Sequence, residues 1–142
     1  MKVGSGRAAV AILALALVAT GSARAEKTAK PSDTPSYDTK TEYAVKGSVV
    51  DVKTHDSLTG FKDTHIIIST VKGDMEVHVG PVAFLAKRGF ELTPGDDVLV
   101  TGCITVHEGK TVLVARQIKR GDRSVTLRNM SGHPVWPKNL RG

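Results

Sequence analysis

Apolar and polar residues alternate with a period of two along most of the chain beyond residue 42, and this pattern predicts β-strands. Five strands are expected over Tyr43 to Lys53, His65 to Thr70, Met75 to Val79, Asp97 to Val106 and Thr111 to Lys119. One short helix, Val82 to Arg88, is expected between the third and fourth strands, because Pro81 suits a helix start and Gly89 a helix end. A further short strand is expected around Val125 and Leu127.

The first strand departs from strict alternation. Tyr43 and Val45 lie on one face, whereas Val50 and Val52 fall on the other. A one-residue slip moves side chains to the opposite face, so we expect a bulge or a sharp bend near Gly47. A first strand that bends in this way is typical of small closed barrels.

The second and third strands are expected to form a hairpin around the turn Val71-Lys72-Gly73-Asp74. If Val71 faces Asp74, the inward-facing pairs are Ile66 with Val79, Ile68 with Val77, and Thr70 with Met75. The opposite face then carries His65, Ile67, Ser69, Glu76 and His78.

The order strand, strand, strand, helix, strand, strand is the connectivity of the oligonucleotide/oligosaccharide-binding (OB) barrel. The sequence therefore predicts an all-β fold with one short helix: a five-stranded OB-type Greek-key barrel over residues 42–120, followed by a C-terminal extension. The extension, residues 121–142, would comprise the short strand and a basic tail.

Two stretches carry a family resemblance within Tyr43 to Lys119. HIIISTVKGDMEVHVGP at positions 65–81 and PGDDVLVTG at positions 94–102 look like exported bacterial OB-fold proteins. In plan, the chain is similar to the bacterial OB-fold (BOF) envelope stress-tolerance family. This resemblance implies a binding or scaffolding protein of the bacterial envelope.

Residues 1–25 have the features of a secretory signal peptide. Lys2 and Arg7 precede an apolar run from Ala8 to Ala19, and Ala23-Arg24-Ala25 supplies small residues for cleavage. The run is shorter than the roughly 20 residues that span a bilayer. We therefore expect a periplasmic or secreted protein without a transmembrane segment after cleavage. The polar, proline-containing residues 26–41 are expected to form a flexible linker.

Positive charge is concentrated near the C-terminus. The formal net charge is +6, and the signal peptide accounts for three basic residues and no acidic ones, which leaves +3. An envelope protein or a small anionic ligand could contact the C-terminal region through Arg116, Lys119, Arg120, Arg123, Arg128 and Trp136. Trp136 is also expected to fold back and plug one barrel end, and exposed contact with a partner is the alternative.

Specific nucleic-acid binding is not expected. OB barrels bind single strands across strands two and three, and that mode requires aromatic side chains for base stacking. Here those strands contain no Phe, Tyr or Trp, and they carry Glu76. Binding of a polyanion or nucleic acid through the basic C-terminal region remains a second alternative function.

A metal site is the first alternative function. The expected register places His65 and His78 on one face in diagonal positions, with side-chain roots roughly 7–8 Å apart. Two imidazoles at that spacing can converge on a divalent metal ion, and Glu76 could assist from the same face. Half-exposed strand histidines without a ligand are the other interpretation. No other cofactor is expected.

No enzymatic motif is present. The chain has no Gly-x-Ser-x-Gly, no phosphate-binding glycine loop and no His-Glu-x-x-His. Cys103, the single cysteine, would lie roughly 13 Å along an extended strand from His107, too far for direct activation. We therefore expect a non-enzymatic binding or scaffolding module.

Overall fold

The computed structural model describes residues 35–57 and 60–140. Their regular elements are a 3-10 turn at Thr39–Thr41 and, in chain order, β1 (Tyr43–Asp56), β2 (Lys62–Thr70), β3 (Gly73–Pro81), α1 (Val82–Lys87), β4 (Asp97–His107), β5 (Lys110–Arg120) and β6 (Arg123–Thr126). The predicted signal peptide lies outside the described residues. Within those residues, no helix has the length and apolar character needed to cross a bilayer.

Five strands close into a ring. β1 pairs antiparallel with β2 on one side and with β4 on the other. β2 pairs with β3 and β4 pairs with β5, also antiparallel, and β3 joins β5 in parallel. β6 extends the sheet from the free side of β5. The predicted fold class, an OB-type barrel with one short helix and a C-terminal extension, is confirmed.

β1 bends as predicted, but the phase change lies at Val50 and not near Gly47. The β1–β2 register shifts between Val49 and Asp51. Val49 is 3% exposed whereas Val50 is 51% exposed, so the bulge directs the extra residue to solvent. Val52 then packs against the core again.

Gly47 serves a different purpose from the one predicted. A Cβ at this position would lie 2.8 Å from the backbone oxygen of Ser69 and 3.2 Å from Ile68 side-chain atoms. The absence of a side chain therefore allows β1 to approach β2 where it turns from one partner strand to the other.

The β2–β3 hairpin turns one residue earlier than predicted, at Val71-Lys72 in place of Lys72-Gly73. Thr70 pairs with Gly73, which leaves a two-residue loop, so Ile66 faces Val77 and not Val79. The expected register was therefore wrong by two residues. Because side chains alternate with a period of two, this shift leaves the faces unchanged, and Ile66, Val77 and Val79 are buried as expected.

The helix and the C-terminal segment complete the core. Pro81 is the N-cap of α1, and Phe84 and Leu85 are its buried residues. Leu127 is fully buried, and Trp136 packs against the core with its ring centroid 5.8 Å from that of Phe84.

The last residues of the predicted linker contact the barrel. The hydroxyl oxygens of Ser36 and Thr105 are 2.9 Å apart, and the Asp38 backbone N–H donates to Sγ of Cys103 at 3.4 Å. Contacts with the barrel therefore begin upstream of the predicted boundary at residue 42.

Candidate metal centre on the barrel face

Four histidines form a row across the outer surface of the barrel. His55 lies near the end of β1, His65 in β2, His78 in β3, and His107 is the last residue of β4. Successive ring centroids are 4.4, 3.8 and 5.2 Å apart. Strands distant in sequence thus bring four imidazoles into one continuous contact.

His65 and His78 are direct cross-strand partners, not the diagonal neighbours that the expected register implied. The β2–β3 register shifts between Thr64 and His65, so β3 contains one extra residue at this point. The two rings are stacked with an interplanar angle of 30°. The imidazoles therefore lie closer together than expected from the sequence.

Glu76 joins the two central histidines. It lies two residues before His78 and hence on the same face of β3. Nδ1 of His65 donates a hydrogen bond to Oε1 of Glu76 at 3.2 Å, and Nε2 of His78 is 3.6 Å from the same oxygen. The candidate ligand atoms of all three side chains lie within 4.8 Å of one another.

These separations are close to those of a metal site. With ligand distances near 2.1 Å, two ligands of a tetrahedral ion lie ~3.4 Å apart. The His65–Glu76 and His78–Glu76 separations of 3.2 and 3.6 Å are on either side of this value.

The surroundings of the two central histidines, His65 and His78, lower the pKa of both imidazoles. Burial lowers the pKa of His78 to about 4, and the neighbouring His65 and His107 act in the same direction. Burial also lowers the pKa of His65, despite its bond to Glu76. Burial raises the pKa of Glu76, but the contacts with His65 and His78 outweigh that effect and lower it overall. At neutral pH the site therefore offers free lone pairs and a carboxylate.

The row of histidines lines a cleft of about 250 Å³. The cleft lies on β2 and β3 and reaches the loops that follow β1 and β4, which is where OB barrels bind their ligands. Carboxylates of Asp56, Asp63, Glu76 and Glu108 line it. Arg128 and Trp136 from the C-terminal segment also line it.

The predicted basic contact residues do not form one free surface. Arg116 makes two hydrogen bonds of 2.7 Å to the carboxylate of Glu42. Arg120 donates to Asp96 at 3.2 Å and to the backbone oxygen of Glu91. Arg128 is buried, and only Lys119 and Arg123 of the predicted basic side chains are exposed. Trp136 is half-buried.

His55 and His107 were missed as site residues from the sequence. The predicted fourth strand ends at Val106, whereas β4 extends one residue further and includes His107. One signal was available in the sequence: four of the five histidines fall in or beside predicted strands.

The fold and the cleft together define an OB-fold protein with a polar cleft at the ligand-binding position of this fold. The sequence model of the MamS/MamX magnetosome protein family matches residues 41–125, and the chain belongs to this family. The family that matches is thus not the BOF family, and the resemblance drawn from the sequence holds for the OB plan alone. No curated protein matches the chain.

Solved structures with a similar barrel include a mutant of TiaS in complex with agmatine, with 20% identity and a TM-score of 0.41 over 55% of this chain. The chain covers only 20% of that protein. The N-terminal domain of PriB from Thermoanaerobacter tencongensis has 15% identity and a TM-score of 0.48 over 59% of this chain and 99% of that one. The single-stranded DNA binding protein from Thermus aquaticus has 20% identity and a TM-score of 0.48 over 64% of this chain and 45% of that one.

Proposed function

We propose that this member of the MamS/MamX family is a non-enzymatic binding module whose barrel holds a divalent transition-metal ion between His65, Glu76 and His78. The observation that supports this most directly is the convergence of three candidate ligand atoms within 4.8 Å on two paired strands. A rigid sheet positions such ligands more accurately than a loop does.

The donor set favours particular ions. Imidazole suits zinc, copper, iron and nickel, whereas magnesium and calcium prefer all-oxygen ligands. Two imidazoles and one carboxylate on one side of an ion leave positions open for further ligands. The ring centroid of His55 is 4.4 Å from that of His65, and the ring centroid of His107 is 5.2 Å from that of His78. Either outer histidine could therefore supply a further ligand.

The proposed location agrees with this role. The predicted signal peptide would direct the protein to the periplasm or outside the cell, and the family name places its members among magnetosome proteins. We therefore propose that the barrel presents the metal site in the bacterial envelope. Polyanion binding through the C-terminal region has less support, because Arg116 and Arg120 already have acidic partners.

Titration with Co²⁺ tests the proposal. Trp136 is the only tryptophan and lines the same cleft, so its fluorescence should be quenched as the ion binds, and cobalt absorption bands should report nitrogen ligands. Loss of a direct ligand in His65→Ala or His78→Ala should weaken Co²⁺ binding by about 100-fold or more. The matched control is His133→Ala, because His133 is exposed and does not line the cleft.

Two results would contradict the proposal. One is the absence of saturable Co²⁺ binding to the metal-free protein. The other is an affinity that is the same in the His78 variant, the His133 control and the wild type.

A further inference from the structure

Arg128 is a buried cation at the wall of the cleft. The residue is 4% exposed, and its Nη1 donates to the backbone oxygen of Gly132 at 2.9 Å. Its Nε is buried and has no hydrogen-bond partner among residues 35–57 and 60–140. The guanidinium lies 5.5 Å from the ring centroid of Tyr37 and 5.8 Å from that of Trp136. Two aromatic rings thus hold a guanidinium whose hydrogen-bonding capacity is not filled.

Within residues 35–57 and 60–140, the charge of Arg128 also has no counterion. Among the residues that the structure describes, no carboxylate forms an ion pair with it. Burial lowers the pKa of Arg128, although an arginine remains protonated at neutral pH. A buried charge is costly unless it is paired, because its hydration is lost. An anion in the cleft would supply the missing partner.

We infer that the cleft binds a small oxyanion at Arg128 together with the metal ion, so that the ligand is a metal ion and an oxyanion side by side. This inference rests on the proposed metal site. A guanidinium offers parallel N–H donors that match the oxygens of sulfate, phosphate or a carboxylate. The volume of about 250 Å³ corresponds to several water molecules and accommodates both species.

The charges around the cleft make the two binding events interdependent. The carboxylates of Asp56, Glu76 and Glu108 repel a free anion, whereas a bound divalent cation attracts one. Lys110, which also lines the cleft, favours the anion. Metal and oxyanion should therefore strengthen each other's binding by the same factor.

The experiment compares Co²⁺ affinity in sodium sulfate and in sodium chloride at equal ionic strength. Sulfate should raise the affinity of the wild-type protein for Co²⁺ by about 5- to 10-fold relative to chloride. Arg128→Gln should remove this enhancement, so that the ratio of the Co²⁺ affinities in sulfate and in chloride falls to about 1. Arg123→Gln is the control, because Arg123 is exposed and does not line the cleft.

The outcomes separate the two proposals. Equal Co²⁺ affinity of the wild type in sulfate and chloride would overturn the inference and leave the metal site intact. Retention of the sulfate effect in a folded Arg128→Gln protein would overturn it as well. Absence of Co²⁺ binding in both salts would refute the metal site and, with it, the inference. If the Arg128 variant does not fold, the Co²⁺ affinities of the wild-type protein in sulfate and in chloride still test the inference.

Discussion

Replacement of Glu42 by Gln tests the contact that fastens the N-terminal segment to the barrel. The Glu42 carboxylate accepts two hydrogen bonds of 2.7 Å from Arg116 and one of 2.5 Å from the hydroxyl of Tyr37. The side chains of Arg116 and Glu42 are only 15% and 21% exposed. The hydrogen bonds from Arg116 hold the pKa of Glu42 below its usual range.

The expected cost follows from this geometry. Removing one partner of a buried ion pair lowers the free energy of unfolding by about 3–5 kcal/mol. Because the Glu42–Arg116 pair is partly exposed, the lower end of that range, about 3 kcal/mol, applies here. Gln keeps one acceptor oxygen, so a loss of about 2–3 kcal/mol in the free energy of unfolding is expected. For a domain of this size that corresponds to a Tm lower by roughly 10–20 °C.

Urea unfolding of wild type, Glu42→Gln, Arg116→Gln and the double variant would measure the coupling between the two side chains. Asp51→Asn is the matched control, since the Asp51–Lys53 pair is 3.9 Å long with both side chains more than half exposed. That control should change stability by less than about 0.5 kcal/mol. The reasoning is refuted if Glu42→Gln costs no more than the control, or if the double variant shows no coupling.

Two further predictions concern pH and packing. Burial holds the pKa of His78 at about 4 in the folded protein, whereas in the unfolded chain it has its ordinary value of 6.5. Between these two pH values the unfolded chain binds a proton that the folded protein does not. The free energy of unfolding of the metal-free protein should therefore fall by up to about 3 kcal/mol as the pH falls from 6.5 to 4. Urea unfolding in EDTA should show that the free energy of unfolding falls less between pH 7 and about pH 5 in His78→Gln than in the wild type. Equal losses in the two proteins would contradict the lowered pKa of His78. Gly102→Ala should prevent normal folding, because its Cβ would overlap the backbone oxygen of Val114, whereas Ser124→Ala at an exposed site of β6 should be tolerated. Normal circular dichroism and Tm for Gly102→Ala would contradict the close approach of β4 and β5.

The alternation of apolar residues was sufficient to predict the strands and the faces of the β2–β3 hairpin. It could not determine the hairpin register, because a two-residue slip buries the same side chains. It also could not locate the bulge in β1, because the change of phase between Val45 and Val50 is the same wherever the extra residue lies; the structure places it at Val50.

The site was predictable only in part for a related reason. His65 and His78 share a hairpin, so local pattern brings them together. His55 and His107 reach them only through the closure of the barrel, which depends on pairings between distant strands. The charge pattern likewise could not show that Arg116 is neutralised by Glu42, which lies 74 residues away in the chain.

The parallel contact between β3 and β5 has a consequence for how the barrel opens. Only two residue pairs form it, and His78 with Val114 is one of them. The narrowest seam of the barrel therefore passes through a candidate metal ligand. An ion coordinated by His65 and His78 would hold β3 against β2 and fix His78 in its place at the seam. Opening of the seam by movements that displace His78 would therefore be rarer in the metal-bound protein.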